Sequence, residues 1–197
     1  MKVEIKGLFP TPVYKSTVER KLTNKELKYI DSLDMIHNEF NLTSDNTYIL
    51  ESPFLKNFKK NIQEHIKEYF NKVICPADNI TPYITQSWLN ITNKGSKHHK
   101  HRHPNSIVSG VFYLSKDTLW FSKEIDTSIQ IDKKTFHVFN SDTFFEPVEE
   151  NQILLFPSNL THFVKQYKET KPRKSIAFNI FVKGLLGSKT RTTELKI

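Results

Sequence analysis

Four of the eight histidines in the sequence lie within six residues, at positions 98, 99, 101 and 103. His101 and His103 are two residues apart, so on an extended segment both imidazoles would lie on one face and could bind the same metal ion. A flexible basic loop with adventitious metal affinity would have the same composition. The apolar sequence that begins at Ile107 favours the metal site, because it places the histidines next to a predicted strand.

A third metal ligand would have to come from another part of the chain, and His162 is the candidate. A single histidine among apolar residues is usually structural. Eleven residues later, however, Arg173 and Ser175 begin an apolar segment and would face the same interior on a strand. A buried guanidinium binds a carboxylate through two parallel hydrogen bonds, which lysine cannot form. If the protein provides no carboxylate, a ligand carboxylate is the natural partner; the alternative is an ordinary surface arginine.

The composition is that of one globular domain. The chain has 197 residues, of which 37% are hydrophobic and 25% charged, and this excludes disordered, collagen-like and coiled-coil proteins. No segment approaches roughly eighteen apolar residues, and the N-terminal sequence lacks the apolar core of a signal peptide, so we expect a cytoplasmic protein without a membrane partner. The single cysteine, Cys75, fits a reducing compartment and is expected to be a small buried residue.

The net charge of +8 would favour nucleic acid or other anionic partners. The basic residues are concentrated in two places, the segment from Lys94 to Arg102 and the last fifteen residues. A solvated face and a loose basic tail account for this distribution. We therefore rank nucleic-acid binding last among the functions considered.

The N-terminal part of the sequence predicts an edge strand followed by two helices. The segment 3–18 is extended sequence interrupted by Pro10 and Pro12, and such an edge could pair with a second copy in a homodimer. Apolar residues at helical spacing predict helices over 23–36 and 52–73, the second capped by Ser52.

After Pro76 short apolar segments replace the helical pattern. Because no helix here is long enough for a parallel crossover, they predict an antiparallel sandwich or barrel, and we expect a mainly β jelly roll braced on one face by the N-terminal helices. The single domain would have a helical part at about 20–75, a β core at about 80–184 and a basic tail at 185–197. The predicted strands are 83–92, 107–114, 119–121, 136–139, 152–156, 162–167 and 174–182.

Five blocks of sequence occur in order along the chain: LFPTPVY at 8–14, SWLN at 87–90, HxHPxSxxSGVxYL at 101–114, LFPSxLxH at 155–162 and RxSxxFN at 173–179. With these blocks the chain resembles the iron(II)/2-oxoglutarate-dependent oxygenases of marine phages and bacteria. Each block alone is weak, but their combination in order is specific and spans nearly the whole chain. The resemblance implies a double-stranded β-helix with iron near one mouth of the barrel, in the cytoplasm of a bacterial host if a phage encodes the protein.

Carried onto this sequence, the resemblance implies that His101, His103 and His162 bind Fe(II). Arg173, with help from Ser175, would bind the distal carboxylate of 2-oxoglutarate. Three protein ligands would leave two coordination positions for 2-oxoglutarate and one for dioxygen. The expected enzyme is a dioxygenase that acts as a hydroxylase: 2-oxoglutarate is decarboxylated to succinate while a C–H bond of an unknown substrate is oxidised.

The metal motif departs from that of the wider family, which usually has His-x-Asp where this chain has His101-Arg102-His103. A three-histidine iron site is one solution. The others place a different ligand in the shell: His99 together with His101, Asp126, or Asp142. A neutral triad would also suit zinc, and the protein would then be a non-catalytic cupin-like module that binds a metal or a carboxylate.

Other residues near these positions receive looser assignments. Trp88, Asn90, Tyr113 and Asn179 could line the cavity. We expect one of the two amides to bind the cosubstrate or to orient a ligand histidine, because partly buried amides need hydrogen-bond partners. His98 and His99 are expected to be loop residues or to lie behind the ligands. Substrate contacts are expected from loops such as 122–134.

Overall fold

Two antiparallel β-sheets, stacked face to face, form the body of the protein. The structure, a computed structural model, describes residues 1–77, 80–123 and 131–197. The strands in these residues are β1 (Tyr14–Thr17), β2 (Met35–Asn38), β3 (Asn41–Ser44), β4 (Thr81–Thr92), β5 (His98–His101), β6 (Val108–Tyr113), β7 (Asp117–Ser122), β8 (Thr143–Val148), β9 (Gln152–Pro157), β10 (Thr161–Val164), β11 (Arg173–Lys183), β12 (Leu185–Leu186) and β13 (Leu195–Lys196). The larger sheet has the order β1-β9-β6-β11-β4-β3-β2, and the smaller has the order β5-β10-β7-β8. The mainly β, antiparallel architecture is as predicted.

Alternation along the central strands of the larger sheet separates two cores. Successive side chains of a strand point to opposite faces, so β6, β9 and β11 each contribute to both sides of the sheet. Phe112, Leu155 and Ile176 belong to the core on the helical side. Val111 and Leu154 belong to the core between the two sheets. Ser175 has the same parity as Arg173 and faces the space between the sheets, which places polar side chains there.

Two helices, α1 (Asn24–Asp31) and α2 (Lys56–Tyr69), cover the outer face of the larger sheet. Phe58, Ile62 and Ile66 form the predicted apolar stripe of α2 and are at most 1% exposed. Ser52 accepts a hydrogen bond from the backbone N–H of Phe54, so it caps the entry to this helical segment as predicted. The helices brace the sheet from outside and leave the space between the sheets to polar residues.

Helix α1 ends at Asp31 and not at the predicted residue 36. Met35 begins a hairpin of β2 and β3 that extends the larger sheet. The side chains of Asn38 and Asn41 bond across its turn at 3.3 Å, and Glu39 has the left-handed conformation there, with φ 50°. Helical spacing of apolar residues does not reveal such a turn, which is fixed by local hydrogen bonds.

The predicted strand at 136–139 is wrong, and the strand that pairs with β7 is β8, from Thr143 to Val148. The side chain of Asn140 accepts a hydrogen bond from the backbone N–H of His137 at 2.8 Å and closes a turn at this place. Phe136 and Val138 are 73% and 66% exposed, so their apolar character does not report a core strand.

Two further expectations differ from the structure. Cys75 is exposed; it ends the turn after α2 with φ 48°, and its N–H donates to the carbonyl of Phe70 at 2.8 Å. The tail expected to be loose folds back on itself, because Leu185–Leu186 pairs with Leu195–Lys196.

None of the helices in the described parts of the chain combines the length and the apolar composition needed to cross a lipid bilayer.

Candidate metal centre

Three imidazoles meet at one end of the smaller sheet. His101 is the last residue of β5, His162 is its partner on β10, and His103 follows in the next loop. The ligand atoms of these three residues lie within 4.8 Å of one another. In the described residues they form the one group of His, Cys, Asp or Glu side chains close enough to share a metal ion. The structure therefore brings together the three histidines that the sequence singled out.

Backbone carbonyls orient two of the rings. Nδ1 of His101 donates to the carbonyl of His99 at 2.8 Å, and Nδ1 of His162 donates to that of Leu160 at 3.0 Å. Each ring therefore keeps its Nε2 lone pair for a metal. Nε2 of His103 lies 3.3 Å from Nε2 of His162. Two nitrogens that bind a metal at 2.1 Å and at a right angle would be about 3 Å apart, so the spacing fits shared coordination.

Burial keeps these imidazoles neutral. It is the largest cause that lowers the pKa of His101 and His162, and together with the neighbouring His101 it lowers the pKa of His103 to about 4. A neutral imidazole offers a nitrogen lone pair, which a protonated one does not. The donor set fits Fe(II), and it also fits Zn²⁺.

The alternative ligands do not join this cluster. The carboxylate of Asp142 lies 3.5 Å from the ammonium of Lys133, and Nδ1 of His99 lies 3.2 Å from the carboxylate of Glu39. Asp126 and most of the predicted substrate loop lie outside the described residues.

Arg173 lies deeper in the space between the sheets and is only 3% exposed. Its Nε donates to the carboxylate of Asp117, which is itself buried. The protein therefore supplies one carboxylate partner itself, and the interpretation of Arg173 as an ordinary surface arginine is wrong. The contact uses one of the five N–H donors of the guanidinium, so Arg173 can bind Asp117 and a ligand carboxylate at the same time. Burial opposes the charge, but Asp117 and Tyr113 outweigh it and raise the pKa of Arg173.

Two buried hydroxyl groups near Arg173, those of Thr92 and Ser175, have no hydrogen-bond partner. Thr92 is the cross-strand partner of Arg173. Tyr113, the cross-strand partner of Ser175, interacts with the guanidinium itself. Buried polar atoms are nearly always hydrogen-bonded, so the two unpaired hydroxyls fit a polar ligand beside the guanidinium.

The two candidate amides differ in position. Asn90 pairs with Ser175 across β4 and β11, and its side chain accepts a hydrogen bond from Asn41 at 3.2 Å. It lines a small cavity between the sheets, which we call the inner cavity, together with Arg173, Ser175 and Trp88. Neither Tyr113 nor Asn179 lies in this lining, although the Asn179 side-chain oxygen is buried without a partner.

His98 also faces the inner cavity, and its assignment to a loop is wrong. His98 and His101 both point inward, although they are three residues apart, because a β-bulge interrupts the pairing of β5 with β10. The two rings stack with their centroids 4.4 Å apart. Burial, followed by His101 and Arg173, lowers the pKa of His98 to about 2. With this ring inside, the inner cavity has a volume of about 30 Å³, which is room for about one water molecule.

Residues 86–179, which include the triad and Arg173, match the family model described as "Putative 2OG-Fe(II) oxygenase". This part of the chain belongs to the 2OG-Fe(II) oxygenases. The resemblance expected from the sequence is thereby confirmed at the level of the family, and with it the dependence on 2-oxoglutarate and iron. A marine or phage origin stays a prediction. A search of curated protein sequences found no match.

Solved structures of other oxygenases share the fold of this one. HygX from Streptomyces hygroscopicus, solved with nickel and 2-oxoglutarate, has a TM-score of 0.60 at 11% identity, over 86% of this chain and 82% of its own. A prolyl hydroxylase from Trichoplax adhaerens has a TM-score of 0.57 at 12% identity, over 86% and 83%. An oxidoreductase of the 2OG-Fe(II) oxygenase family from Burkholderia pseudomallei has a TM-score of 0.56 at 9% identity, over 78% and 74%. These similarities confirm the double-stranded β-helix.

Sequence reasoning missed three residues of the oxygenase site. Asp117 stands in the polar run Ser115-Lys116-Asp117 and looks like part of a turn. Thr92 could have been found from its place at the end of the predicted strand 83–92, two residues after Asn90 and on the same face. His98 gave no signal, because its inward direction depends on the bulge in β5.

Proposed function

We propose that the oxygenase hydroxylates a C–H bond of its substrate, with Fe(II) bound by His101, His103 and His162. The observation that carries the proposal is the convergence of three neutral imidazoles, two of them oriented by backbone carbonyls, at the entrance of a cavity that contains a buried arginine. When bound, Fe(II) and 2-oxoglutarate supply the redox chemistry: dioxygen oxidises 2-oxoglutarate to succinate and carbon dioxide, and its second oxygen atom enters the C–H bond.

Arg173 binds the distal carboxylate of 2-oxoglutarate in this proposal. The buried hydroxyl of Ser175, which has no partner and belongs to a residue of the inner cavity lining, is an additional donor for the carboxylate oxygens. Asn90, which lines the same cavity, holds the cosubstrate from the neighbouring strand. Tyr113 and Asn179 lie outside that lining, so we assign them no contact with the cosubstrate.

The apolar residues of the inner cavity keep water away from the reaction. Val111, Leu119 and Phe156 line the cavity beside the triad. A dry cavity strengthens the pairing of the cosubstrate carboxylate with Arg173, because water no longer screens the charges. The proposal places the enzyme in the cytoplasm; the single cysteine, which is exposed and unpaired, supports a reducing compartment.

Anaerobic titration of the metal-free protein with Fe(II) and then 2-oxoglutarate tests the ligand assignment. We expect the visible metal-to-ligand charge-transfer band of the chelate in the wild type and no band in His103→Ala. His37→Ala, which changes an exposed histidine of β2, is the control and should keep the band.

Two results would contradict the proposal in different ways. A band that persists in His103→Ala would assign the third ligand position to another residue. No band in the wild type, together with tight zinc binding, would favour the cupin-like binding module in which the triad holds a structural metal.

A further inference from the structure

A second, wider depression lies on the outward side of the triad. We call it the outer groove; its volume is about 1260 Å³. His101 and His103 line both the inner cavity and the outer groove, so the metal position stands between the two spaces. A molecule in the outer groove would therefore approach the metal from the side opposite Arg173.

Two lysine side chains, those of Lys100 and Lys123, bring positive charge to the outer groove, and no carboxylate occurs in its described lining. The arginine of the inner cavity is paired with Asp117. Cations that line a groove without carboxylates raise the local concentration of anions and disfavour cationic molecules.

Contacts hold Lys100 at the groove. Its ammonium donates to Oγ of Ser122 at 3.1 Å and lies 5.3 Å from the ring centroid of Phe163. Both partners are uncharged, so the ammonium keeps its full charge and has further N–H donors for a ligand. Lys123 follows Ser122 directly, and its backbone N–H is bonded to the carbonyl of Asp142 at 2.8 Å. Lys100 contacts Ser122 and Lys123 follows it in the chain, so both lysines belong to neighbouring parts of the groove wall.

We propose that the substrate carries an anionic group, a carboxylate or a phosphate, which binds to Lys100 and Lys123 while a C–H bond of the same molecule lies at the metal. The proposal rests on the proposed function, since it takes the triad as the metal site. The groove's uncharged lining residues, among them Asn105 and Ser158, offer hydrogen bonds to the rest of the substrate. The two lysines are specificity-determining residues in this scheme and do not take part in the reaction.

Equilibrium binding of three matched probes tests the proposal: phenyl phosphate, benzoate and neutral benzamide, which share one ring. The Fe(II)-loaded protein is kept anaerobic with saturating 2-oxoglutarate, so that the probes do not compete for Arg173. We expect one of the two anions to bind about tenfold more tightly than benzamide, and the preferred anion identifies phosphate or carboxylate. In Lys100→Gln/Lys123→Gln that anion should bind at least about fivefold more weakly, as expected for two lost ion pairs. Lys189→Gln, in the exposed tail, should bind it as the wild type does.

The charge-transfer band of the same samples separates the two proposals. A wild type that shows the band but prefers neither anion over benzamide would overturn the anionic substrate alone. The same conclusion would follow if the double variant bound the anion unchanged, or if it lost affinity for 2-oxoglutarate instead. A wild type without the band would overturn the proposed function, and the assignment of the outer groove to a substrate with it.

Discussion

At the scale of single residues, the proposed pocket for 2-oxoglutarate contains a guanidinium that is already paired. Arg173 binds Asp117 through Nε and would bind the proposed ligand through other N–H donors. We predict that Arg173→Lys weakens 2-oxoglutarate binding at least about tenfold, because a lysine ammonium cannot form the bidentate pair. The 2-oxoglutarate concentration that gives half of the charge-transfer band measures this effect.

The affinity for Fe(II) in the absence of 2-oxoglutarate should stay unchanged in Arg173→Lys, since the triad is intact. Arg191→Lys, in the exposed tail, is the matched control. Equal 2-oxoglutarate affinity in Arg173→Lys and the wild type would move the carboxylate site away from this residue.

In the proposed pocket, His98 occupies space that 2-oxoglutarate would need. The inner cavity holds only about 30 Å³ with this ring stacked on His101, so we expect the ring to move when the cosubstrate binds. We predict that His98→Ala binds 2-oxoglutarate more tightly than the wild type, by roughly threefold to tenfold, because the energetic cost of moving the ring is removed. Isothermal titration of the Ni²⁺-loaded protein measures the difference without turnover.

The matched control for His98→Ala is His99→Ala, the next residue on the same strand, whose imidazole lies beside Glu39. A loss of affinity in His98→Ala would show instead that His98 holds the cosubstrate.

Sequence reasoning found the triad and Arg173 from residue types and from spacing. His101 and His103, like Arg173 and Ser175, are two residues apart, which places each pair on one face of an extended segment. The same reasoning could not find the contact between Arg173 and Asp117, which are 56 positions apart and meet only through the stacking of the two sheets. Nor could it assign the direction of His98, since an irregular pairing of β5 decides it. What the sequence could not supply at this scale was long-range contact and register, while the grouping of the three histidines was predicted correctly.

At the scale of elements, position 110 of β6 requires a glycine, because a neighbouring ring occupies the space that a side chain would fill. The ring of Phe178 lies across it, and a Cβ at this position would be 2.1 Å from the nearest ring carbon. We predict that Gly110→Ala lowers the free energy of unfolding by about 1–3 kcal/mol, because the ring must shift within a packed core. Chemical denaturation measures the change, and Gly7→Ala, where the nearest contact is 3.4 Å, is the control. An unchanged stability would mean that the ring moves without cost.

Helix α1 begins with a buried carboxylate. Glu26 accepts hydrogen bonds from Arg20 and from both the N–H and the hydroxyl of Thr23. Burial alone would raise the pKa of Glu26, but these hydrogen bonds and the charge of Arg20 outweigh it and lower the pKa below its ordinary value. A lowered pKa in the folded state stabilises the fold above the unfolded pKa and loses that effect as the pH falls through the folded one.

We therefore predict that Glu26→Gln costs about 1–3 kcal/mol of stability at pH 7. The difference from the wild type should shrink as the pH falls below about 4.5, where the unfolded carboxyl is protonated. Urea denaturation at several pH values measures it. Glu64→Gln, an exposed member of an i,i+3 pair on α2, should change little. A difference that is constant down to pH 2 would contradict the charge-based explanation.

The elements that the sequence predicted correctly are those with a long, regular apolar pattern, such as α2 and β11. Those it missed are short. The hairpin of β2 and β3 depends on asparagine side chains, and β8 depends on its pairing with β7, because four of its six residues are exposed and carry little pattern.

At the scale of the whole molecule, the two faces of the larger sheet have different roles. The helices and the core under them stabilise the larger sheet, and the polar residues between the sheets are left for binding. The net charge of +8 would favour nucleic-acid binding, but some of the basic residues that produce it, Lys100 and Lys123 among them, line the outer groove. Nucleic-acid binding itself stays a prediction, and we rank it below an anionic substrate.

The homodimer also stays a prediction. Strand β1 forms one edge of the larger sheet, and Pro10 and Pro12 precede it, so pairing with a second copy would begin after the prolines, at Tyr14–Thr17. Sedimentation velocity over a hundredfold range of concentration measures the state of association. A single species of 23.1 kDa throughout would contradict the dimer.

The β-bulge between β5 and β10 determines the direction of the His98 side chain, because it adds one residue to β5 between His98 and His101. Removing one residue between His98 and His101 would restore the two-residue spacing of a regular strand, on which both side chains face the same side. A deletion in a strand normally damages a fold, but here it would remove an irregularity. The inward direction of His98 should therefore survive a change in chain length that also leaves every ligand histidine in place.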